Sequence, residues 1–520
     1  MGKRNGFKII PLLGCCLLLS SCNIYDLLPG LNSSYDPGTV VPPTPSAEGV
    51  YENVDLTKDY TYRDISLSSR LDAIPSEGEY TLLVLPIEFT DYPFSNSDIE
   101  NLNTALSAEN GTGYWESLSS YYEKASYGKL KLHFEIADIY DTNMTAYTAY
   151  SKYAGIDDNG ITLINAALTS YKRSNATKKF DIDRSGYLDG VIAVYSCPDS
   201  QSGDLNFNDA DDFYWAYTYW ATSDPNTISP NLNLYFWMSI DFIYTEPQSV
   251  FETRKIDAHT LCHEFGHMLG LDDYYPSGNS TFYPTGWLTM MDGNILDHDA
   301  FSKIALGWIE PTVVTDTATI EITTSASSPQ AIVIPSSDWN WTAFGEYIVM
   351  ELYTPTGLNE LDSKVQYPGR PKGYTIPGVR VYHVDARLAE VTLTASAWGD
   401  EINSEWDYYY GTKLNPADTS SMFRYYQVAA TNCYKDAAFA DPAYSLIELI
   451  DASSPKTDPF KRGEAADNDT LFATGDEFSL SKYSAYFPGI VSLNDGTEFP
   501  YTIKFNYVGS DKANITITKA

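Results

Sequence analysis

Cysteine is scarce in this chain: six in 520 residues, and Cys15, Cys16 and Cys22 crowd the N-terminus. Cys197, Cys262 and Cys433 are left, an odd number spread far apart. That excludes a disulfide framework and a cysteine-built structural metal site. No cysteine lies between Cys22 and Cys197, which argues against an inhibitory segment acting through a thiol. Positive charge is short as well. There are 33 Lys and Arg against 69 Asp and Glu, a formal net charge of −36. A nucleic-acid partner wants a basic footprint, so none is expected. Such acidity suits a soluble surface protein that resists aggregation and attracts divalent cations. No repeat of fixed period occurs, and no segment is long and apolar enough to span a bilayer.

The first residues carry an address. Lys3, Arg4 and Lys8 lead into an apolar stretch from Ile9 to Leu19, then Leu19-Ser20-Ser21-Cys22. A basic start, a short apolar core and small residues at the cut make a secretory signal. Leu-Ser-Ser-Cys also resembles a bacterial lipobox. On that reading residues 1–22 are a lipoprotein signal peptide and Cys22 is the lipidated first residue of the mature protein. Cys15 and Cys16 are the weaker alternative, and plain secretion is the other. The expected location is the bacterial cell envelope, at the outer membrane or cell surface, with the lipid as the contact to the membrane. Residues 23–75 read as a Pro/Ser-rich linker and N-terminal segment, with Pro29, Pro37, Pro42, Pro43 and Pro45 among Gly, Ser and Thr.

Beyond this the pattern divides in two. Residues 76–311 mix strands and helices, an α+β pattern. Thr81–Phe89 and Val191–Tyr195 read as buried strands, and Leu130–Ile136 alternates as a strand. Ile99–Leu106, Gly113–Ser126 and Ile161–Tyr171 read as helices. Residues 312–520 hold short β-prone runs separated by turn residues. Among them are Thr319–Ile322, Ala331–Ile334, Tyr347–Met350, Val379–Val384, Leu446–Ile450 and Ile515–Ile517. These predict a β-sandwich-type domain.

The densest chemistry lies at His259-Thr260-Leu261-Cys262-His263-Glu264-Phe265-Gly266-His267-Met268-Leu269-Gly270-Leu271-Asp272-Asp273. His263 and His267 fall one helical turn apart on one face and can grip one metal ion from the same side. Gly270 can end the helix in a left-handed turn, and the reversal can bring Asp273 round as a third ligand. Three protein ligands with a position left open mark a catalytic zinc (Zn2+) rather than a structural one. Glu264 is then placed as general base and acid for attack of water on a peptide carbonyl. The plainer reading, a solvated Glu/His face, is weakened by Phe265, Met268, Leu269 and Leu271 on the packing side. Asp272 competes with Asp273 for the ligand role, or orients a histidine from behind. His259 invites a three-histidine reading, but three turns of a straight helix do not converge on one ion, which favours a packing role. Cys262 reads as a small buried residue. Tyr274, Tyr275 and Tyr283 are candidates to help hold an oxyanion.

A second metal signal sits at Asp181-Ile182-Asp183-Arg184-Ser185-Gly186-Tyr187-Leu188-Asp189. Asp181, Asp183, Ser185 and Asp189 resemble the oxygen ligands of a calcium (Ca2+) loop, although no glutamate completes an EF-hand. An acidic turn without an ion is the alternative. His383 and Asp385 face one side of a strand and read as structural pairing rather than catalysis. His298 and His133 carry no motif.

Together these segments resemble the M6 metalloproteases, the immune inhibitor A group of secreted bacterial peptidases. The resemblance rests on His263–Asp273 together with Glu88-Phe89-Thr90-Asp91, Tyr121–Gly128, Asp181–Asp189, Asp299–Trp308 and Gly378–Asp385. It covers Thr81 to Trp308 and continues more thinly to the C-terminus. It implies zinc on His263, His267 and Asp273, catalysis by Glu264, and a metzincin-like zincin fold with a methionine turn under the ligands. Gly286–Gly293 looks like that turn, with Met291 the better match and Met290 its neighbour. The third ligand is Asp here, where better-known metzincins use His. The expectation is therefore a monomeric, lipid-anchored zinc endopeptidase cleaving extracellular polypeptides. The alternative is a surface adhesin or glycan-binding lipoprotein with a vestigial peptidase core.

Overall fold

The strand Gly78–Glu88 organises the first half of the molecule, because its residues are buried on both faces from Leu82 to Ile87. A strand covered on both sides reads as a continuous apolar run, as this one does. In this computed structural model the described residues are 42–68, 71–156, 158–221, 223–245, 254–276, 283–394, 407–409, 422–433, 444–454, 460, 464–487 and 492–520. The signal peptide, Cys22 and the linker up to residue 41 lie outside them.

Gly78–Glu88 pairs in parallel with Leu130–Ile136 on one side and Val191–Tyr195 on the other. Leu234–Ser239 continues the sheet in parallel, and Tyr217–Trp220 closes it as an antiparallel edge. Alternate residues feed opposite cores. Leu83, Leu85, Val191, Ala193 and Trp237 pack with Ile164 and Leu168 of the helix Ile161–Ser174. Leu82, Val84, Ile192, Val194 and Phe236 pack with Leu261 and Phe265 of the helix His259–Met268.

Most expected elements appear near their expected ends. The helix expected over 113–126 starts later, at Leu118. Ser117 caps it: its Oγ accepts from Ser120 N (3.1 Å), and Ser117 N donates back to Ser120 Oγ (2.9 Å). Two longer strands of this sheet were not anticipated. Leu234–Ser239 is fully buried, so its sequence shows no alternation, and Tyr217–Trp220 is a short aromatic edge.

Residues beyond 312 are β-rich. A six-stranded sheet runs in the order Val50–Tyr51, Thr312–Val314, Ile332–Pro335, Glu346–Tyr353, Gly378–Asp385, Ile447–Leu449. A four-stranded antiparallel sheet is built from Glu477–Phe478, Tyr501–Val508, Lys512–Lys519 and Ala318–Thr323. One face of the larger sheet meets the smaller in a shared cluster, Ile334, Ile348, Met350 and Val381 against Ile503, Phe505, Ile515 and Ile517. Its other face places Val333, Tyr347, Val349 and Val384 in the same apolar cluster as Phe265, Met268 and Phe301. The whole is α+β, with one continuous core beneath the histidine helix.

Candidate metal centre

The helix carrying the histidines spans His259–Met268. Ile256 is drawn out of it by a bridge to Tyr244. Gly270 stops the chain at φ +97°, where a Cβ would also lie 3.0 Å from Tyr62 Cβ. Both the left-handed backbone and the close packing require glycine there.

The turn after Gly270 carries Asp273 back to the histidines. Its Oδ1 lies 3.1 Å from His263 Nε2 and 3.2 Å from His267 Nε2. The opposite ring nitrogens are committed elsewhere. His263 Nδ1 donates to Met290 O (2.9 Å) and His267 Nδ1 to Leu271 O (2.8 Å). These bonds aim both Nε2 atoms at Asp273, an orientation typical of metal-binding histidines. Apart from these two contacts, its buried Oδ1 has no hydrogen-bond partner. A buried carboxylate oxygen facing two imidazole nitrogens, with no other partner, fits a cation with nitrogen and oxygen ligands at that point.

Electrostatics are strained accordingly. Burial opposes charge on Asp273, yet His267 and His263 hold its carboxyl well below the usual carboxylate range. Burial would lower His267, but Asp273 and Glu264 push it up to about 10. Burial pushes Glu264 above its ordinary value, while His267 and His263 pull the other way. Glu264 Oε2 is also buried and unpartnered, and Thr218 Oγ1 of the edge strand donates to its backbone carbonyl (3.0 Å).

No family model matches the chain, and no curated protein matches it significantly.

Of the two competing aspartates, Asp273 stands among the histidines. Asp272 instead accepts from Asp273 N (3.0 Å) and from the Thr431 hydroxyl (2.8 Å). His259 is no part of the cluster. Its Nδ1 lies 2.6 Å from Asp257, its Nε2 3.4 Å from Asp362, and its ring stacks on Trp115 at 3.7 Å. Met291 lies under the helix, where a Cβ on Gly266 would come within 2.4 Å of its sulfur. Met290 contributes its carbonyl to His263. Of the three tyrosines, Tyr275 is the one at the centre. Its ring lies 6.2 Å from His263, and burial together with the Asp273 carboxylate pushes its hydroxyl above the ordinary value. Tyr274 bonds Ser302 (2.8 Å) and Tyr283 packs on Trp287.

The aspartate-rich turn gathers Asp181, Asp183 and Asp189 so that one oxygen of each lies within 4.8 Å of the others. Ser185 is beside them, its hydroxyl 3.5 Å from Asp181. Arg63 forms an ion pair with Asp183, a partner that nothing in the local sequence announces. Burial and the neighbouring aspartates push Asp189 up to about 7. His383 and Asp385 do not pair with each other. His383 meets Glu346 (2.8 Å) and Asp385 holds Arg387 by two bonds of 2.7 Å. His298 is buried beside Tyr122, and His133 is exposed beside Glu79. Cys197, Cys262 and Cys433 are buried, and none forms a disulfide among the described residues.

Proposed function

We propose that this chain is a zinc endopeptidase of the M6, immune inhibitor A-like kind, exported and tethered to the cell envelope by lipid on Cys22. The observation that carries the reading is the convergence of His263 Nε2, His267 Nε2 and the buried Asp273 Oδ1, with a buried carboxylate oxygen of Glu264 that has no hydrogen-bond partner on the same helix. His263, His267 and Asp273 would hold the ion. When bound, zinc supplies Lewis acidity to a substrate carbonyl and lowers the pKa of a water. Glu264 takes the proton from the attacking water and passes it to the leaving amine. Burial raises its proton affinity, which suits a group that must accept and then release a proton.

The edge strand Tyr217–Trp220 supports a polypeptide substrate. It pairs on one side only among the described strands, and Thr218 ties it to the carbonyl of Glu264. An extended peptide can add to such an edge and lie beside the base.

The remaining assignments belong to the same reading. Residues 76–311 form a metzincin-like catalytic domain with Met291 as the floor of its methionine turn. Residues 312–520 form a β-sandwich-type domain, and the Asp181–Asp189 loop takes calcium. The enzyme acts as a monomer on extracellular proteins.

The test compares wild type with Glu264→Gln on the chain from residue 24. Wild type should carry one zinc and cleave peptides in a chelator-sensitive way. Glu264→Gln should keep the zinc and lose cleavage by about 10²- to 10⁴-fold, the usual worth of a general base. Cleavage at the wild-type rate by the variant would remove Glu264 from the mechanism. A wild type that takes no zinc would turn the assignment to a surface-binding protein.

A further inference from the structure

Two bonds reach the metal centre from a part of the chain remote in sequence. Thr431 and Asn432 follow the strand Met422–Val428, in the β-rich half. Thr431 Oγ1 donates to Asp272 Oδ2 (2.8 Å) and accepts from Cys433 N (3.1 Å), which fixes its rotamer. Asn432 Nδ2 donates to Tyr274 O (3.1 Å) and to Ile447 O (2.9 Å), while its Oδ1 accepts from Ile447 N (3.3 Å). The carboxamide thus joins the edge of a sheet strand to the turn after Gly270. Asn432 is fully buried, and Thr431 is 8% exposed. From the other side, Tyr274 N donates to Met291 O (2.8 Å).

Asp273 stands between the two anchored residues. Asp272 is held through its side chain by Thr431, and Tyr274 through its carbonyl by Asn432. Asp272 Oδ1 in turn takes Asp273 N (3.0 Å). The two ring ligands ride on a helix and are oriented by nearby carbonyls. Asp273 lies outside that helix, and its place depends on what grips the turn.

We infer that Thr431 and Asn432 are positioning residues for the third metal ligand, so that the β-rich half completes the metal centre. The inference rests on the metal reading given above. Neither residue touches the ion; each acts by holding the backbone on one side of Asp273. Groups supporting a metal ligand in this way are typically worth about 10- to 100-fold in metal affinity.

The experiment measures zinc affinity by chelator competition, and the visible absorption of the cobalt-substituted protein, on the full chain from residue 24. Wild type is set beside Thr431→Val, Thr431→Ser, Asn432→Asp and Asp273→Ala. Melting of the metal-free forms reports folding separately. Thr431→Val and Asn432→Asp should each weaken zinc binding about tenfold or more and shift the cobalt spectrum toward that of Asp273→Ala. Thr431→Ser restores the hydroxyl and should restore both. Wild-type zinc affinity and cobalt spectrum in Thr431→Val and Asn432→Asp would overturn the inference while leaving the metal centre intact. So would weakening in Thr431→Val that Thr431→Ser fails to rescue. Wild type without zinc affinity would overturn the metal reading itself and this inference with it.

Discussion

His259 should make the stability of this protein depend on pH in a window where few other side chains titrate. The ring is closed in on all sides. Asp257 lies 2.6 Å from one nitrogen and Asp362 3.4 Å from the other. Trp115 stacks on one face at 3.7 Å, and Tyr367 packs at 4.3 Å. Tyr114 lies 6.4 Å away, and the Tyr367 hydroxyl donates to the second oxygen of Asp257 (2.6 Å). Burial alone would lower the proton affinity of the ring, but the two carboxylates dominate and push it from 6.5 to about 9. A rise of that size is worth roughly 3 kcal/mol. Because the folded value is the higher one, the contribution is fully present below about pH 6.5 and is lost as pH rises through about 9. His259→Gln removes the charge and leaves two buried carboxylates facing a neutral amide. At pH 6 that should cost about 3–5 kcal/mol, the usual price of stranding one side of a buried ion pair. By pH 10 the wild-type ring is neutral as well, so the gap should shrink by roughly 3 kcal/mol. Urea unfolding of both proteins from pH 6 to pH 10 measures it through the midpoint at constant slope. A gap that stays constant, or widens with pH, would refute a protonated His259 between two carboxylates.

Two further outcomes follow from other contacts. Calcium should raise the thermal midpoint clearly at pH 8 and hardly at pH 5, because Asp189, pushed up to about 7, must ionise before the loop can offer its full charge. An equal effect at both pH values would remove the Asp181–Asp189 loop as the binding site. Gly266→Ala should destabilise by about 1–3 kcal/mol, since its Cβ would meet the Met291 sulfur at 2.4 Å. In a Met291→Ala background the Gly266→Ala loss should be smaller, and additive effects in a thermal-melt cycle would separate the two residues.

Much of the site is legible along the chain because its first pieces are local. Helical periodicity alone places His263, Glu264 and His267 together, and Gly270 is where the helix has to stop. The strands Gly78–Glu88 and Val191–Tyr195 stand out because burial on both faces makes a strand continuously apolar. Leu234–Ser239 is equally apolar, and its pattern does not separate strand from buried helix; its neighbours in the sheet do.

Sequence by itself determined the spacing of His263, Glu264, His267 and Asp273 and the α+β order of the elements, since both depend on spacings of a few residues. Spacing favoured Asp273 but left Asp272 beside it as a rival, because adjacent residues in a turn are separated only by what grips each one. Tertiary structure separates their positions: Thr431, in a distant part of the chain, takes the Asp272 carboxylate, and Asp273 is left facing the histidines. It likewise gave His259 the carboxylate of Asp362 and gave Asp183 the guanidinium of Arg63. Partners more than 100 residues apart meet through the packing of whole sheets and helices, and no local pattern encodes that encounter.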